Sequence, residues 1–228
     1  MGSRRLTGDA IRRGLPSTVG VGIRYLSDMG PAPPPLHPLE EGILGPRAVA
    51  GRRALFALGR AAAHDALREI GIEAAGIARG GGGQPLWPTG VVGAISHSAA
   101  VALAIVGSRA DYAGLGVDVE EPARGPIARA ARLVCRPNEL AWADPEAGTQ
   151  RLTMLFSAKE AVFKALYPIE CVWLGFGDAE LTWIAERGVF EAEVLKSVGD
   201  GYPVGFRLDV NCTANEAWVL STAFVPAA

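Results

Sequence analysis

From Arg151 to Tyr167 the chain runs without a glycine or a proline and then meets Pro168, which marks a helix and its stop. At 100° per residue, Leu152, Phe156, Phe163 and Leu166 define one apolar stripe, while Ala158, Ala161 and Ala165 cover most of the far side. Ser157, Glu160 and Lys164 form a narrow polar seam on the edge. A helix this apolar has to be covered, so the rest of the chain must supply a surface for it. Lys159 falls in the middle of the stripe, where an unpaired ammonium is costly. Glu160 and Lys164 are explained as a surface pair four residues apart, and Lys159 as a snorkelling side chain. A bound polyanion accounts better for a lysine so central to an apolar face.

The covering surface is legible as strands. Val91–Ile95, Val101–Val106 and Leu115–Val119 are β-branched or alternating runs, and the tail from Leu181 to Val225 holds several more. A second helix is expected over Pro46–Ile70, with Pro46 in its first turn and Gly71 as its stop. Arg53, Ala57, Arg60 and His64 share one face of it. Pro31–Pro38 is too rich in proline for a helix and reads as an extended connector. Residues 1–30 show no clear element, 121–150 read mostly as loop with a short helix, and no repeat of 20 to 50 residues stands out. Strands and helices mixed in this order make the class α+β.

Composition removes several function classes. Lys and Arg number 22 against 24 Asp and Glu, so the formal charge is −2, and a backbone-binding nucleic-acid protein would carry a basic excess. Cys135, Cys171 and Cys212 stand far apart, which fits neither a disulfide framework nor a structural zinc site. The longest strongly apolar run, near Val101–Val106, is too short to cross a bilayer, and the first residues lack a signal-peptide pattern. The expectation is a cytoplasmic protein without membrane or nucleic-acid partners.

Three clusters carry chemistry. In Gly116-Val117-Asp118-Val119-Glu120, residues two apart on a strand point the same way, so Asp118 and Glu120 project together. Paired carboxylates need a compensating proton or cation, and oxygen-only donors suit Mg²⁺; the plain alternative is a solvated strand face. The second cluster is the seam Lys159, Glu160 and Lys164. The third is diffuse: Arg53, Arg60, Arg79, the glycines at 80–83 and Ser96-His97-Ser98. Arginines fork onto phosphate, and the glycines match neither a Walker loop nor a dinucleotide fingerprint.

Taken together the clusters resemble the signature of the 4′-phosphopantetheinyl transferase superfamily, Sfp type. Its members carry a Gly-[Ile/Val]-Asp-x-Glu strand and then a [Trp/Phe]-x-x-Lys-Glu-x-x-x-Lys helix, which here are Gly116–Glu120 and Phe156–Lys164. Ser96-His97-Ser98 matches the family's histidine motif, and Gly83, Pro85, Trp87 and Pro88 match the loop before it. The likeness runs from about Ala48 to Asp178 and is nearest to the enterobactin-synthetase subgroup, including actinobacterial enzymes of lipid and siderophore pathways. Phe156 stands for a frequent tryptophan, Arg79 for a usual lysine, and Gly82 for a position often charged.

The resemblance implies two similar pseudo-symmetric α/β halves, 1–114 and 115–228, with the ligand cleft between them. It implies coenzyme A as co-substrate and Mg²⁺, or Mn²⁺ in its place, on Asp118, Glu120 and Glu160. Lys159 and Lys164 would engage the phosphates. Arg53, Arg79, Ser96 and His97 would hold the adenosine and 3′-phosphate end, with Arg52 and Arg60 as weaker candidates. The implied reaction moves the phosphopantetheine arm to a serine of an apo acyl or peptidyl carrier protein, with Asp118, Glu160 and Lys164 at the reacting centre. Arg124, Arg129, Arg132 and Arg136 would form a rim for the acidic carrier, and a two-halved chain is expected to be a monomer. A metal-dependent nuclease and a non-catalytic coenzyme A or carrier-binding module are the rival readings.

Overall fold

A computed structural model describes residues 5–73, 76–122, 131–144 and 149–227. Its two main sheets are antiparallel throughout. In chain order the elements are α1 (Gly8–Arg12), β1 (Gly20–Tyr25), α2 (Pro38–Glu41), α3 (Ala50–Glu69), β2 (Ala78–Arg79), β3 (Pro85–Leu86), β4 (Val91–His97), β5 (Val101–Ser108) and β6 (Tyr112–Glu120). They continue with α4 (Pro137–Ala143), α5 (Gln150–Glu170), β7 (Ala179–Ile184), β8 (Val189–Val194), β9 (Arg207–Ala214) and β10 (Val219–Pro226). One sheet has the order β1-β5-β4, the other β6-β10-β9-β8-β7, and β2 and β3 pair alone. Among the described residues no helix is long and apolar enough to cross a membrane.

Each main sheet carries one long helix, and in both cases glycines let the helix come close. On β1, a Cβ at Gly20 or Gly22 would collide with the carbonyl oxygens of Ala66 and Ala62 in α3. On β6, a Cβ at Gly114 or Gly116 would collide with those of Ala165 and Ala161 in α5. The alanine face of α5 therefore lies against β6, and Leu152, Leu155 and Leu166 are fully buried beside it. Each such burial is worth about 1.5–3 kcal/mol.

The opposite face of β6 builds a shared core. Leu115, Val117 and Val119 pack with Val92 and Ala94 of β4 and Leu103 and Ile105 of β5. Period-two alternation then leaves Gly114, Gly116, Asp118 and Glu120 on the α5 side. On β4 the same alternation turns Ser96 toward β6, with Val92 and Ala94, and His97 toward α3.

Several sequence expectations shift. The first thirty residues contain β1, whose Gly-x-Gly spacing hides the alternation of Val21, Ile23 and Tyr25. Helix α3 starts at Ala50, after Val49 as its cap, so Pro46 sits in a preceding turn rather than in the first helical turn. Gly71 stops it, with φ +78°. Pro168 lies inside α5, which ends two residues later at Glu170 and is capped by Cys171 in the left-handed region, whose N–H donates to the Tyr167 carbonyl. Without a backbone N–H, Pro168 leaves the Lys164 carbonyl without its i→i−4 bond, a loss confined to the last turn of the helix. Between 121 and 150 the described chain holds α4 and helical residues 131–134.

Candidate functional site

Two groups of polar side chains flank the end of β4. The first faces the β6–α5 seam. Asp118 is buried, and its Oδ1 accepts from Lys164 Nζ at 2.6 Å and from Ser96 Oγ at 2.9 Å. Lys164 also reaches Ser96 Oγ at 3.1 Å. Asp118 Oδ2, buried too, has no partner among the described residues. Glu120, half-buried, is pushed up to about 7 by burial and then by Asp118, partly offset by Lys164. Burial first, and Asp118 less strongly, raises Glu160 as well. Three carboxylates thus share one ammonium, and the excess charge is what a hard cation or protons must balance. Among the described residues no three acidic, histidine or cysteine side chains converge as a ready-made cage. Mg²⁺ does not need one, since it keeps waters and takes phosphate oxygens alongside one or two carboxylates. An orphaned Asp118 oxygen beside two proton-hungry glutamates fits such an ion.

The second group faces α3. Leu44, Arg52, Leu55, Phe56, Arg60, Arg79, Gly83 and His97 line a cavity of about 500 Å³. Arg60 is only 5% exposed, and its Nε and Nη1 have no hydrogen-bond partner among the described residues. Its guanidinium stacks on the Phe56 ring at 5.0 Å. Burial lowers its pKa, opposed by nearby Glu40. Burial likewise lowers that of His97, which lines the same cavity. An arginine kept in this state is costly unless an anion completes it.

Not every expected ligand contact is there. Lys159 lies outside both groups: its ammonium meets Glu139 Oε2 at 2.7 Å, the Phe176 carbonyl at 2.6 Å and the Ala179 carbonyl at 3.0 Å. A lysine has three N–H donors, and all three are taken, so none remains for phosphate. The expectation that Lys159 meets a polyanion is corrected accordingly. Arg53 is turned away as well, donating to the carbonyls of Gly45, Pro46 and Ala48, each at 3.0 Å, while its neighbour Arg52 lines the cavity. Ser96 is buried with its hydroxyl fully engaged inside the protein, which leaves nothing to offer a ligand directly. Arg60, ranked behind Arg53 in the sequence, is the more committed residue of the two.

Sequence reasoning also missed an aromatic strip next to Lys164. Phe163 packs edge-on against Trp173 with centroids 4.8 Å apart and lies 5.1 Å from Tyr167. Trp173 is 62% exposed. Gly82 seats the glycine loop on this strip, since a Cβ there would meet the Tyr167 hydroxyl. Arg132 and Leu133 are exposed, and Arg136 donates to the Gly177 carbonyl and pairs with Glu180. Arg124 and Arg129 lie outside the described residues.

The comparisons with known proteins agree among themselves. Residues 39–107 match the 4′-phosphopantetheinyl transferase N-terminal domain, and residues 114–215 match the 4′-phosphopantetheinyl transferase superfamily. Over 180 residues the chain is 36% identical to 4′-phosphopantetheinyl transferase PptT of Mycobacterium tuberculosis, which covers 74% of this chain and 75% of that one. It is 34% identical over 167 residues to 4′-phosphopantetheinyl transferase Npt of Nocardia iowensis, covering 70% and 74%. To 4′-phosphopantetheinyl transferase Svp of Streptomyces mobaraensis it is 38% identical over 163 residues, covering 68% and 65%.

Proposed function

The chain belongs to the 4′-phosphopantetheinyl transferase superfamily, and from that premise we propose that it transfers the 4′-phosphopantetheine arm of coenzyme A to a serine of an apo carrier protein, releasing 3′,5′-adenosine bisphosphate. The observation that carries this reading is a buried, unpartnered Arg60 in a cation-lined cavity, one strand away from the Asp118–Lys164 group. A ligand with a 3′-phosphate and a 5′-pyrophosphate on one ribose would meet both. Dividing the chain near Leu115 gives the cavity to the first half and the carboxylates to the second.

In this reading Arg52, Arg60, Arg79 and His97 bind the adenosine and 3′-phosphate end by charge-assisted bonds. Lys164 keeps a third N–H beyond Asp118 and Ser96, and turns it to the leaving phosphate. Asp118, Glu120 and Glu160 would hold Mg²⁺, which supplies charge neutralisation at the pyrophosphate. Glu160 accepts the proton of the carrier serine. The strip of Phe163, Tyr167 and Trp173 gives the pantetheine arm an apolar path. Exposed Arg132 and Leu133 form a basic and apolar rim suited to an acidic carrier. A monomeric, cytoplasmic enzyme is part of the same reading.

Intact-mass measurement on a panel of apo carrier proteins tests it. One phosphopantetheine arm should be gained only when enzyme, coenzyme A and a divalent cation are all present. Folded protein that binds coenzyme A and yet modifies no carrier would make it a binding module instead.

A further inference from the structure

The Ser96 hydroxyl meets three groups at once. Its oxygen lies 2.9 Å from Asp118 Oδ1, 3.1 Å from Lys164 Nζ and 3.2 Å from the Val119 backbone nitrogen. Val119 N–H and the lysine ammonium can only donate, and a hydroxyl has one hydrogen and two acceptor sites. The proton of Ser96 therefore points to Asp118 Oδ1, and both of its lone pairs are used. The hydroxyl orientation follows from the partners.

Two consequences follow for Asp118. Its Oδ1 is saturated by Lys164 and Ser96, so the carboxylate is held in one rotation and Oδ2 is left as the unpartnered oxygen. Ser157 Oγ, donating to the Asp118 backbone carbonyl at 3.3 Å, fixes the same residue from α5. The next residue on β4, His97, faces the cation-lined cavity on the other side of the strand.

We propose that Ser96 is a positioning residue, which presents Asp118 Oδ2 to the divalent cation and ties the cavity side of β4 to the reacting side. It makes no contact with coenzyme A. The proposal rests on the transferase reading for its kinetics and stands apart from it for ion binding.

Ser96→Ala and Ser96→Thr test it, with purified full-length protein, at a temperature where circular dichroism shows both folded. Mn²⁺ is titrated by electron paramagnetic resonance with no substrate present, coenzyme A binding is measured by calorimetry, and transfer is followed on an apo carrier. Ser96→Ala should weaken Mn²⁺ by roughly tenfold and lower kcat by about ten- to a hundredfold, the loss of one preorganised contact. Its affinity for coenzyme A should stay within about twofold of wild type. Ser96→Thr keeps the hydroxyl and should recover most of both losses. Three results overturn the proposal: Mn²⁺ affinity unchanged in Ser96→Ala, coenzyme A affinity falling as far as kcat, or Ser96→Thr no better than Ser96→Ala. Absence of any transfer by the wild-type protein would instead sink the transferase reading, and the Mn²⁺ comparison would still decide on Ser96.

Discussion

The first and second halves of the molecule contain the same carboxylate cradle, and they use it differently. In each, a short helix starts with proline, at Pro38 and Pro137, and places a buried glutamate two residues on. Glu40 accepts from the backbone N–H groups of His37 and Ile77 and from His64 of α3. Glu139 accepts from those of Arg136 and Leu181 and from Lys159 of α5. Glu40 and Glu139 stand as far apart in the chain as Ala62 and Ala161, the residues whose carbonyls abut the strand glycines. By that same interval Arg60 corresponds to Lys159. Both are buried cations near the cradle glutamate. In the second half the glutamate bonds the cation directly, and the cation becomes structure. In the first half His64, one turn further along, takes the glutamate, and Arg60 is left with free donors in the cavity. One change of donor separates a closed ion pair from a buried cation whose free donors line a cavity.

The strand side shows a second exchange. Arg24 on β1 pairs with Asp65 of α3, and Asp118 on β6 pairs with Lys164 of α5, two residues beyond the corresponding glycines Gly22 and Gly116. The charges are reversed, and only the second pair is buried beside further carboxylates. The largest expected effects separate these two pairs. Asp118→Ala and Glu160→Gln should each lower turnover by about a hundredfold or more while the protein stays folded. Arg24→Ala, breaking an exposed pair worth about 0.2–1 kcal/mol, should leave turnover near wild type. Steady-state kinetics on an apo carrier decide this, and comparable losses from Arg24→Ala and Asp118→Ala would end the distinction.

The cradles themselves are separated by putting the same residue in both. Lys159→Met leaves Glu139 buried without its cation and should cost about 3–5 kcal/mol, with Lys159→Met/Glu139→Gln recovering part of it. Arg60→Met removes a cation that burial already penalises, so the free protein should be as stable or more so. Its affinity for coenzyme A should drop by about ten- to a hundredfold, one charge-assisted phosphate bond. Thermal denaturation with and without coenzyme A reads both. Stability changes of the same sign in the two variants would show that the cations are equivalent after all.

How far the sequence anticipates this depends on whether a residue's role is local. Strand alternation puts Asp118 and Glu120 on one side, and helical spacing puts Glu160 beside Lys164; both hold because they depend on a period alone. The position of Lys159 within its stripe is also right, and it is indeed buried, but its partner Glu139 comes from another helix and no period can reveal that. Arg53 and Arg52 differ by one step of 100°, and which of them lines the cavity depends on where α3 begins. Starting at Ala50 puts Arg53 in the first turn, where its guanidinium folds back onto loop carbonyls. Strand β1 is hidden because helix contact demands glycine where alternation would show a side chain. The duplicated Pro-x-Glu is visible in the chain, at an interval longer than that of ordinary repeats, and only the hydrogen bonds give it meaning.

The smallest expected effect concerns the two kinds of buried or half-buried glutamate, Glu40 and Glu120. Burial alone raises both; for Glu40 the donors His64, Ile77 and His37 together outweigh it, so its pKa ends below the usual carboxylate value. A lowered folded-state pKa contributes stability above the unfolded value and loses it as pH falls through the folded one. Glu120 has no such donors among the described residues, and burial together with the carboxylates of Asp118, Glu160 and Glu121 leaves it at about 7. A raised pKa means that the folded protein binds the proton more tightly than the unfolded chain. Stability is then fully present below the unfolded value and lost as pH rises toward 7. With divalent cations removed by chelator, wild-type protein should therefore lose on the order of 2 kcal/mol between pH 5 and 8, a reduced share of the full shift because Glu120 is partly open to water. Glu120→Gln should flatten that decline, and so should Mg²⁺ added to the wild type, by supplying the charge that the proton otherwise brings. Glu40→Gln should leave the decline in place. Denaturation midpoints across this range are the measurement, and an undiminished slope in Glu120→Gln would move the source of the decline away from the carboxylate group.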